Sequence, residues 1–226
     1  MIDALFLDAG GVLVHPDTTR VAACLAEIDV LVDPLRMREA HYRGMAAVDR
    51  VQAAPEEFAD YQHAYTSQLG LTGDVQRRAV AALASLFAGG KLWDEVLPGA
   101  AEGLAAIAAT GVPIVIVSNA DGTVAEVLAS TGLLQVGPGP GVPVRAIIDS
   151  GVVGVAKPDP AIFRHALDAD GADPARTLHL GDAYHYDVRG ARAAGIRPVL
   201  YDPLGLRDDV DCERITVLAH VIDLFD

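Results

Sequence analysis

Short apolar runs and helix-like stretches alternate along most of this chain. Residues 2–7 form an apolar run that ends at Asp8 and is followed closely by two glycines, which indicates a buried strand. Further short apolar runs, separated by helical stretches, lie at residues 112–117, 146–149, 177–180 and 198–201. Strands that alternate with helices predict an α/β fold whose core is a doubly wound, Rossmann-like parallel sheet covered by helices on both faces.

Between residues 16 and 92 the pattern changes to a helical period. Apolar residues recur there at intervals of three and four, in stretches at 21–28, 58–69 and 75–86 and more weakly at 35–48. No strand pattern interrupts these four helices, which follow directly after the first strand. We therefore predict two domains, a Rossmann-like core of residues 1–15 and 93–226 and a small all-helical cap of residues 16–92.

Local signals predict several smaller features. Thr123 and Glu126 have the spacing of a capping box at the start of a helix. Asp159 and Pro160 are typical of an N-cap followed by the first helical residue. The remaining predictions are a surface loop at 136–143, an extended segment at 152–153, and helices at 187–194 and 217–225.

Length and composition limit the class of protein. The chain has 226 residues, or about 1.5 domains at a typical domain size, and 51% of them are hydrophobic. Acidic residues outnumber basic ones 31 to 17, a net charge of −14, which argues against a nucleic-acid partner. Residues 15–93 hold 10 acids and 8 bases, so most of the negative charge belongs to the predicted core. An anionic substrate would therefore need a metal ion and local bases at its site.

Targeting and redox signals favour a cytoplasmic protein. The first apolar run has no basic leader, and the longest weakly polar stretch, residues 103–117, is broken by Gly111 and Pro113. That stretch is shorter than the ~20 residues that span a bilayer, so we expect no membrane partner. Cys24 and Cys212 lie far apart and match no metal or redox spacing, which predicts reduced thiols.

Oxygen-bearing side chains end three of the predicted strands. Asp8, Ser118 and Asp182 follow strands whose carboxyl ends should share one edge of the sheet, where ligands of such folds bind. Asp187 adds a further carboxylate five residues after Asp182, and oxygens gathered from several loops suit Mg²⁺. Lys157 is one of two lysines in the chain, and it precedes Pro158 and the capped start of a helix. These neighbours would hold Lys157 rigidly, as is needed for a cation beside a phosphoryl group.

Together these residues resemble the four ordered motifs of the haloacid dehalogenase-like (HAD) hydrolases, from residue 2 to about 201. The helical insertion resembles the α-helical cap of that family. The matching segments are Asp8-Ala9-Gly10-Gly11-Val12-Leu13, Val115-Ile116-Val117-Ser118-Asn119, Val155-Ala156-Lys157-Pro158-Asp159-Pro160, and Gly181-Asp182 with Asp187.

The resemblance implies a Mg²⁺-dependent phosphatase of a small phosphorylated metabolite. Asp8 would be the nucleophile that forms an aspartyl-phosphate. Ser118, Asn119 and Lys157 would bind the phosphate, with Ser118 and Lys157 also assisting catalysis. The ligands of Mg²⁺ would be Asp8, Asp182, Asp187 and the backbone carbonyl of Gly10.

Gly10 departs from the family pattern. Phosphatases of the family usually carry a second Asp there, as the general acid and base. Glycine keeps the carbonyl but loses proton transfer, which is commonly worth about 10²–10⁴-fold in rate. His15 and His185 are candidates to supply the proton, although for each the sequence favours an ordinary surface or loop role.

Two other readings stay open. A carbon–halogen hydrolase of the same family would use Asp8 to attack carbon, but such enzymes carry an aromatic residue at the position of Gly10 and need no metal. A catalytically weak member with a binding role would also explain Gly10. Substrate identity should lie in the cap, where basic residues either contact an anion or lie on a solvated helix face: Arg36, Arg38, Arg43 and Arg50.

Overall fold

The computed structural model describes residues 2–50, 58–88 and 91–226. Its centre is a six-stranded sheet in which all neighbouring strands are parallel. The strands in chain order are β1 (Ala4–Leu7), β2 (Val14–His15), β3 (Glu95–Val96), β4 (Ile114–Ser118), β5 (Leu134–Val136), β6 (Val142–Val144), β7 (Ala146–Asp149), β8 (Thr177–Gly181), β9 (Arg197–Tyr201) and β10 (Glu213–Ile215). The order in the central sheet is β10-β9-β8-β1-β4-β7, with β2-β3 and β5-β6 as separate pairs.

Helices flank the sheet and fill the insertion after β2. They are α1 (Thr18–Ala26), α2 (Pro34–Arg50), α3 (Phe58–Gln68), α4 (Gly73–Ala88), α5 (Ala100–Ala109), α6 (Val124–Ser130), α7 (Ser150–Val153), α8 (Pro160–Asp170) and α9 (Arg189–Ala193). Short 3₁₀ helices occupy Pro174–Arg176 and Leu218–Leu224, and a π-helical turn occupies Tyr184–Val188. None of these helices has the length and apolar character that crossing a membrane requires, within the part of the chain described.

The alternation of side chains along β1 builds two core layers. Leu5 and Leu7 point to the face covered by α5, α6 and the 3₁₀ helix Leu218–Leu224, whereas Ala4 and Phe6 point to the face covered by α8 and α9. All four residues are buried, as expected for a strand at the centre of a sheet covered on both sides. The predicted α/β architecture is therefore confirmed.

The strand order reverses between β1 and β8. From β1 the chain continues to β4 on one side, and from β8 it continues to β9 on the other. Leu7 is in register with Leu180, so Asp8, which follows β1, lies beside Gly181, the last residue of β8. Such a reversal opens a crevice beyond the carboxyl ends of the strands.

Helices α1 to α4, which we call the helical insertion, have their own apolar core. Val21, Leu25, Met37, Tyr65 and Leu83 are buried together there. The chain enters and leaves the insertion through adjacent strands, because β2 pairs antiparallel with β3. This pairing holds both ends of the insertion next to the carboxyl edge of the sheet.

Several local predictions are wrong in detail. Residues 152–153 are helical rather than extended, because the Asp149 carboxylate caps the short helix α7 by accepting from the Gly151 N–H at 2.9 Å. The predicted loop 136–143 is shortened by the β5-β6 pair. The tail at 217–225 is a 3₁₀ helix, preceded by the unpredicted edge strand β10.

Two predicted helix starts also differ. The Thr123 side chain makes no capping bond to α6; its hydroxyl donates instead to Asp121 at 2.6 Å, and Asp149 accepts from the Val124 N–H at 3.2 Å. The predicted helix at 187–194 begins earlier, as the π-helical turn at Tyr184, so Asp187 is not its N-cap. The start at Asp159 is confirmed, since its carboxylate accepts from the Ala161 N–H at 2.8 Å.

Candidate active site

Asp8 is fixed immediately beyond the carboxyl end of β1. Its backbone N–H donates to the carbonyl of Leu180 at 2.9 Å, and its Oδ1 accepts from the Ala9 N–H at 2.7 Å. Its Oδ2 lies 2.8 Å from Nζ of Lys157. Burial raises the pKa of Asp8 to about 6, because Lys157 only partly offsets burial and the neighbouring acids Asp187 and Asp182.

Lys157 is held from both ends of the residue. Its buried Nζ contacts Asp8 and lies 2.7 Å from Oδ1 of Asp187. Its backbone N–H donates to Oδ1 of Asn119 at 2.7 Å, and its carbonyl accepts from Nδ2 of Asn119 at 3.0 Å. The peptide bond from Lys157 to Pro158 is cis. Asn119 thus positions Lys157 through its backbone, and a direct contact of Asn119 with phosphate stays a prediction.

Asp187 connects Lys157 to His179, a residue that the sequence analysis did not single out. Oδ1 of Asp187 accepts from Lys157 and from Nε2 of His179 at 2.9 Å, while Oδ2 accepts from the Ala183 N–H at 3.0 Å. Burial alone would raise the pKa of Asp187, but Lys157 and His179 hold it below its ordinary value. Gly181 is required beside this carboxylate, since a Cβ there would lie 2.0 Å from Cγ of Asp187.

Asp182 lies between the sheet and the helical insertion. Its Oδ2 is 2.9 Å from Nε2 of His41 on α2, and Nδ1 of His41 is 2.9 Å from the Tyr61 hydroxyl on α3. Burial raises the pKa of Asp182 well above its ordinary value, and the charge of Asp187 adds to this effect. Burial lowers the pKa of His41 to about 3. His41 and Tyr61 lie in predicted helices, but no motif in the sequence marks either residue as part of a site.

The three carboxylates form a group that could hold a metal ion. One oxygen from each of Asp8, Asp182 and Asp187 lies within 4.8 Å of the others. Oxygen donors of this kind fit Mg²⁺, which is bound through a few carboxylates and retained waters. Burial, together with the neighbouring negative charge, raises the pKa of Asp8 and Asp182, and a cation would neutralise that charge. Gly10 as a carbonyl ligand stays a prediction.

Ser118 and Gly10 complete the polar edge of the site. Ser118 is the buried last residue of β4, beside Asp8 and Lys157 in the lining of one cavity. Gly10 lies under an indole ring, because a Cβ added to it would be 3.1 Å from Cζ3 of Trp93. Trp93 enters the site from the chain that returns from the helical insertion, a position with no recognisable motif.

The cavity has a volume of about 680 Å³ and lies between the sheet edge and the helical insertion. Asp8, Ser118, Lys157 and Asp182 line its polar end. Its apolar lining comes mainly from the insertion, the returning chain and α6: Met45, Val48, Tyr61, Phe87, Trp93 and Val127. A small molecule could therefore contact the reactive groups and the insertion at once.

The basic residues considered for substrate contact do not line this cavity. Arg36, Arg43 and Arg50 are exposed and absent from its lining, and Arg50 donates to the carbonyl of Leu206 at 3.0 Å. Arg38 is paired with Glu95, with Nη1 2.6 Å from Oε1. Anion binding by these four residues therefore has no support in the geometry of the described site.

The two histidines considered as proton donors also lie outside the lining. His15 is fully buried, with Nδ1 2.8 Å from the Pro16 carbonyl and Nε2 without a hydrogen-bond partner among the described residues. The backbone N–H of His185 donates to Asp49 on α2 at 2.9 Å, away from Asp8. Neither imidazole is placed to replace the missing carboxyl at Gly10.

Asp49 fastens the helical insertion to the core. Its Oδ2 lies 2.8 Å from Nη1 of Arg207 and accepts from the Tyr184 N–H at 2.9 Å. Both charged side chains are buried, with exposed fractions of 1% for Asp49 and 7% for Arg207. Because Tyr184 lies in the turn that carries Asp187, this contact ties α2 to the carboxylate site.

Comparison with known proteins identifies the family. A family model described as haloacid dehalogenase-like hydrolase matches residues 2–195. The Mus musculus "Haloacid dehalogenase-like hydrolase domain-containing protein 3" is 33% identical over 138 residues, 58% of this chain and 52% of that protein. The Thermus thermophilus "Phosphoserine phosphatase" is 49% identical over 63 residues, 28% of this chain and 25% of that protein. The chain spans about half the length of the first of these relatives.

Among solved structures, a HAD phosphatase from Thermococcus onnurineus is similar over 99% of this chain and 97% of its own, with a TM-score of 0.60 and 18% identity. At that identity the likeness concerns the fold alone. It agrees with the parallel sheet and its flanking helices, and the family match extends over nearly the whole sequence. The chain therefore belongs to the haloacid dehalogenase-like hydrolases.

Proposed function

We propose that this protein is a Mg²⁺-dependent phosphatase that hydrolyses a small phosphorylated metabolite through an aspartyl-phosphate at Asp8. One observation carries the proposal: Nζ of the buried Lys157 lies 2.8 Å from Asp8 and 2.7 Å from Asp187, beside a group of three carboxylates. A nucleophile, a cation and a set of metal ligands are thereby brought to the end of one cavity. The phosphatase among the relatives is consistent with this chemistry.

The chain's own residues account for the two steps of hydrolysis. A carboxylate oxygen of Asp8 attacks phosphorus, and the electron pair of the breaking P–O bond goes to the leaving oxygen. Lys157 orients Asp8 and offsets the charge on the phosphoryl oxygens, while the Ser118 hydroxyl donates to one of them. Water then attacks phosphorus, the bond to Asp8 breaks, and inorganic phosphate and free Asp8 are released.

Asp8, Asp182, Asp187 and the carbonyl of Gly10 would hold Mg²⁺ at this site. When bound, Mg²⁺ supplies positive charge that lets a carboxylate approach an anionic phosphate. His41 positions Asp182 by its contact at 2.9 Å, and His179 and Lys157 position Asp187. The ligands are therefore oriented by residues around them, as metal sites require.

The helical insertion acts as a cap in this proposal. We assign residues 16–92 to the cap and residues 1–15 and 93–226 to the catalytic core. The separate apolar core of α1 to α4 and the paired strands β2 and β3 support this division. A cap over the sheet edge would exclude water from the reaction and contact the substrate.

The metal is tested by calorimetric titration with Mg²⁺. We expect the wild type to bind Mg²⁺ and the Asp182→Asn variant to bind it at least tenfold more weakly. Asp121→Asn is a matched control, because Asp121 lines the same cavity but lies outside the group of three carboxylates. Equal affinities of wild type and Asp182→Asn would remove Asp182 from the site. If the protein binds Mg²⁺ but releases phosphate from no phosphorylated metabolite, the result would favour a catalytically weak family member with a binding role.

A carbon–halogen hydrolase is the second candidate, and Trp93 is the observation that favours it. The indole ring occupies the space above Gly10, where dehalogenases of the family carry an aromatic residue. A single turnover in ¹⁸O-labelled water, with enzyme in excess over substrate, distinguishes the phosphatase from the carbon–halogen hydrolase. Attack of Asp8 on phosphorus leaves ¹⁸O in the released phosphate. Attack on carbon leaves ¹⁸O in the Asp8 carboxyl, because water then attacks the carbonyl of the aspartyl ester.

A further inference from the structure

Apolar and aromatic side chains form a wall of the cavity. Met45 and Val48 from α2, Phe87 from α4 and Trp93 from the returning chain make up this wall. The indole ring centroid lies 6.3 Å from that of Phe87 and 5.6 Å from that of His41. This wall offers contact area to an apolar group of a ligand and few hydrogen-bond partners to a polar group.

Small residues leave room next to the aromatic wall. Ala84 and Ala88, one helical turn apart on α4, line the cavity on either side of Phe87. The whole space of about 680 Å³ lies within the range of sites that enclose a small organic ligand. A phosphate at Asp8 therefore leaves space in the cavity for a ring that packs against Trp93 and Phe87, whose own rings lie in edge contact.

The cavity has no spare cation for a second anionic group. Its lining holds two basic side chains in the described part of the chain, and residues 1, 51–57 and 89–90 contain neither Lys nor Arg. Lys157 is used by Asp8 and Asp187, and Nζ of Lys91 lies 2.7 Å from Glu126. A substrate with a carboxylate or second phosphate would have to compete with Glu126 for Lys91 or leave that charge without a counter-ion.

In the described part of the chain, the position of the family's general acid holds no proton donor for the leaving oxygen. Gly10 has no side chain, both ring nitrogens of His41 contact Asp182 and Tyr61, and Oδ1 of Asp121 accepts from Thr123. A leaving group must then depart with its electron pair and take its proton from water. A phenol, with a pKa of about 10, does this far more readily than an aliphatic alcohol, whose acidity is close to that of water at about 15.7.

We propose that the substrate is a phosphate monoester of a phenol-like aromatic alcohol, with its uncharged ring packed against Trp93 and Phe87. This inference rests on the proposed phosphatase function and names its substrate class. Asp8 forms the bond to phosphorus as the P–O bond to the ring breaks, and the phenolate takes a proton from water. Hydrolysis of the aspartyl-phosphate by a second water then restores Asp8.

Phosphate release in Mg²⁺ tests the class with four probes: phenyl phosphate, 4-carboxyphenyl phosphate, ethyl phosphate and acetyl phosphate. We expect kcat/KM for phenyl phosphate to exceed that for the carboxylated analogue at least tenfold and that for ethyl phosphate at least a hundredfold. Equal or faster turnover of 4-carboxyphenyl phosphate would overturn the inference and leave the phosphatase function intact. Absence of phosphate release from all four would instead overturn the proposed function itself.

Variants of residues on α4 test where the ring of the substrate binds. Phe87→Ala should raise KM for phenyl phosphate at least fivefold and change turnover of acetyl phosphate, which has no ring, less than twofold. Leu86→Ala is the matched control, since Leu86 is the neighbouring residue on α4 and lies outside the cavity lining. An unchanged KM for phenyl phosphate in Phe87→Ala, or an equal effect in Leu86→Ala, would contradict the assignment.

Binding can be followed without turnover, because Trp93 is the only tryptophan in the chain. In the Asp8→Asn variant with Mg²⁺, phenyl phosphate should change the tryptophan fluorescence at a concentration at least tenfold lower than ethyl phosphate. Equal midpoints for the two ligands would show that the ring is not held at Trp93. This measurement remains informative if the wall variants fold poorly.

Discussion

The indole ring of Trp93 fills the space above Gly10, so that a Cβ on Gly10 would lie 3.1 Å from Cζ3 of Trp93. The residue that lacks the family's acid and base is therefore covered by an aromatic side chain from a distant part of the sequence. The missing carboxyl and the aromatic ring are linked, because the ring occupies the space that a side chain at position 10 would need. Restoring the carboxyl requires the ring to move.

Gly10→Asp alone should therefore give little gain in the hydrolysis of alkyl phosphates, because the new side chain meets the indole ring. In the double variant Gly10→Asp/Trp93→Ala the carboxyl has room, and we expect turnover of ethyl phosphate to rise by about 10²-fold over Trp93→Ala. Steady-state phosphate release from the four proteins measures this. A double variant no faster than Trp93→Ala would show that proton transfer does not limit the reaction.

The pair Asp49–Arg207 should be important for stability. Asp49→Ala leaves the buried guanidinium of Arg207 without its carboxylate, and we expect the free energy of unfolding in urea to fall by about 3–5 kcal/mol. Asp74→Ala, which breaks the exposed pair Asp74–Arg77, is the matched control and should leave the urea midpoint nearly unchanged. Similar midpoints for Asp49→Ala and Asp74→Ala would refute a stabilising contact between α2 and the core.

Acidification should destabilise the fold through His15. Burial, reinforced by His41, lowers the pKa of His15 to about 3, below its ordinary value of about 6.5 in the unfolded chain. The unfolded state therefore binds the proton first as pH falls, and stability is lost between pH 6.5 and about 3. From pH 7 to pH 5 the wild type should lose about 2 kcal/mol more than His15→Asn, in which an amide keeps the contact with Pro16.

Urea unfolding of both proteins at the two pH values measures that difference. His165→Asn removes an exposed histidine on α8 and controls for the loss of one histidine. Parallel losses of stability in wild type and His15→Asn would contradict a buried neutral imidazole at this position.

The sequence predicted the framework of the fold because its signals are local. The apolar run before Asp8 and the Asp159-Pro160 helix start depend on nearby residues, and both are confirmed. The Thr123 capping box failed because Asp121 accepts from the Thr123 hydroxyl and backbone N–H, and the Glu126 carboxylate pairs with Lys91. The prediction for residues 152–153 was wrong for a local reason, because the carboxylate of Asp149, directly before α7, caps the helix that contains them.

The residues of the candidate site also divide into those that could be predicted from the sequence and those that could not. Asp8, Ser118, Lys157 and Asp182 could be predicted, because each follows a strand or a turn with a recognisable spacing. His179 could not, since it lies inside β8 and resembles a core position until its contact with Asp187 is known. His41, Tyr61 and Trp93 come from helices and a loop far along the chain, and only tertiary packing brings them to Asp182 and Gly10.

The nucleophilic role of Asp8 is tested most directly by phosphate release from 4-nitrophenyl phosphate in the wild type and Asp8→Asn, with Mg²⁺ and with a chelator. We expect the wild type to release phosphate in Mg²⁺ and to stop in chelator, and Asp8→Asn to lose at least 10³-fold in kcat/KM while its urea midpoint shows a folded protein. Turnover in Asp8→Asn within tenfold of the wild type would contradict covalent catalysis by this residue.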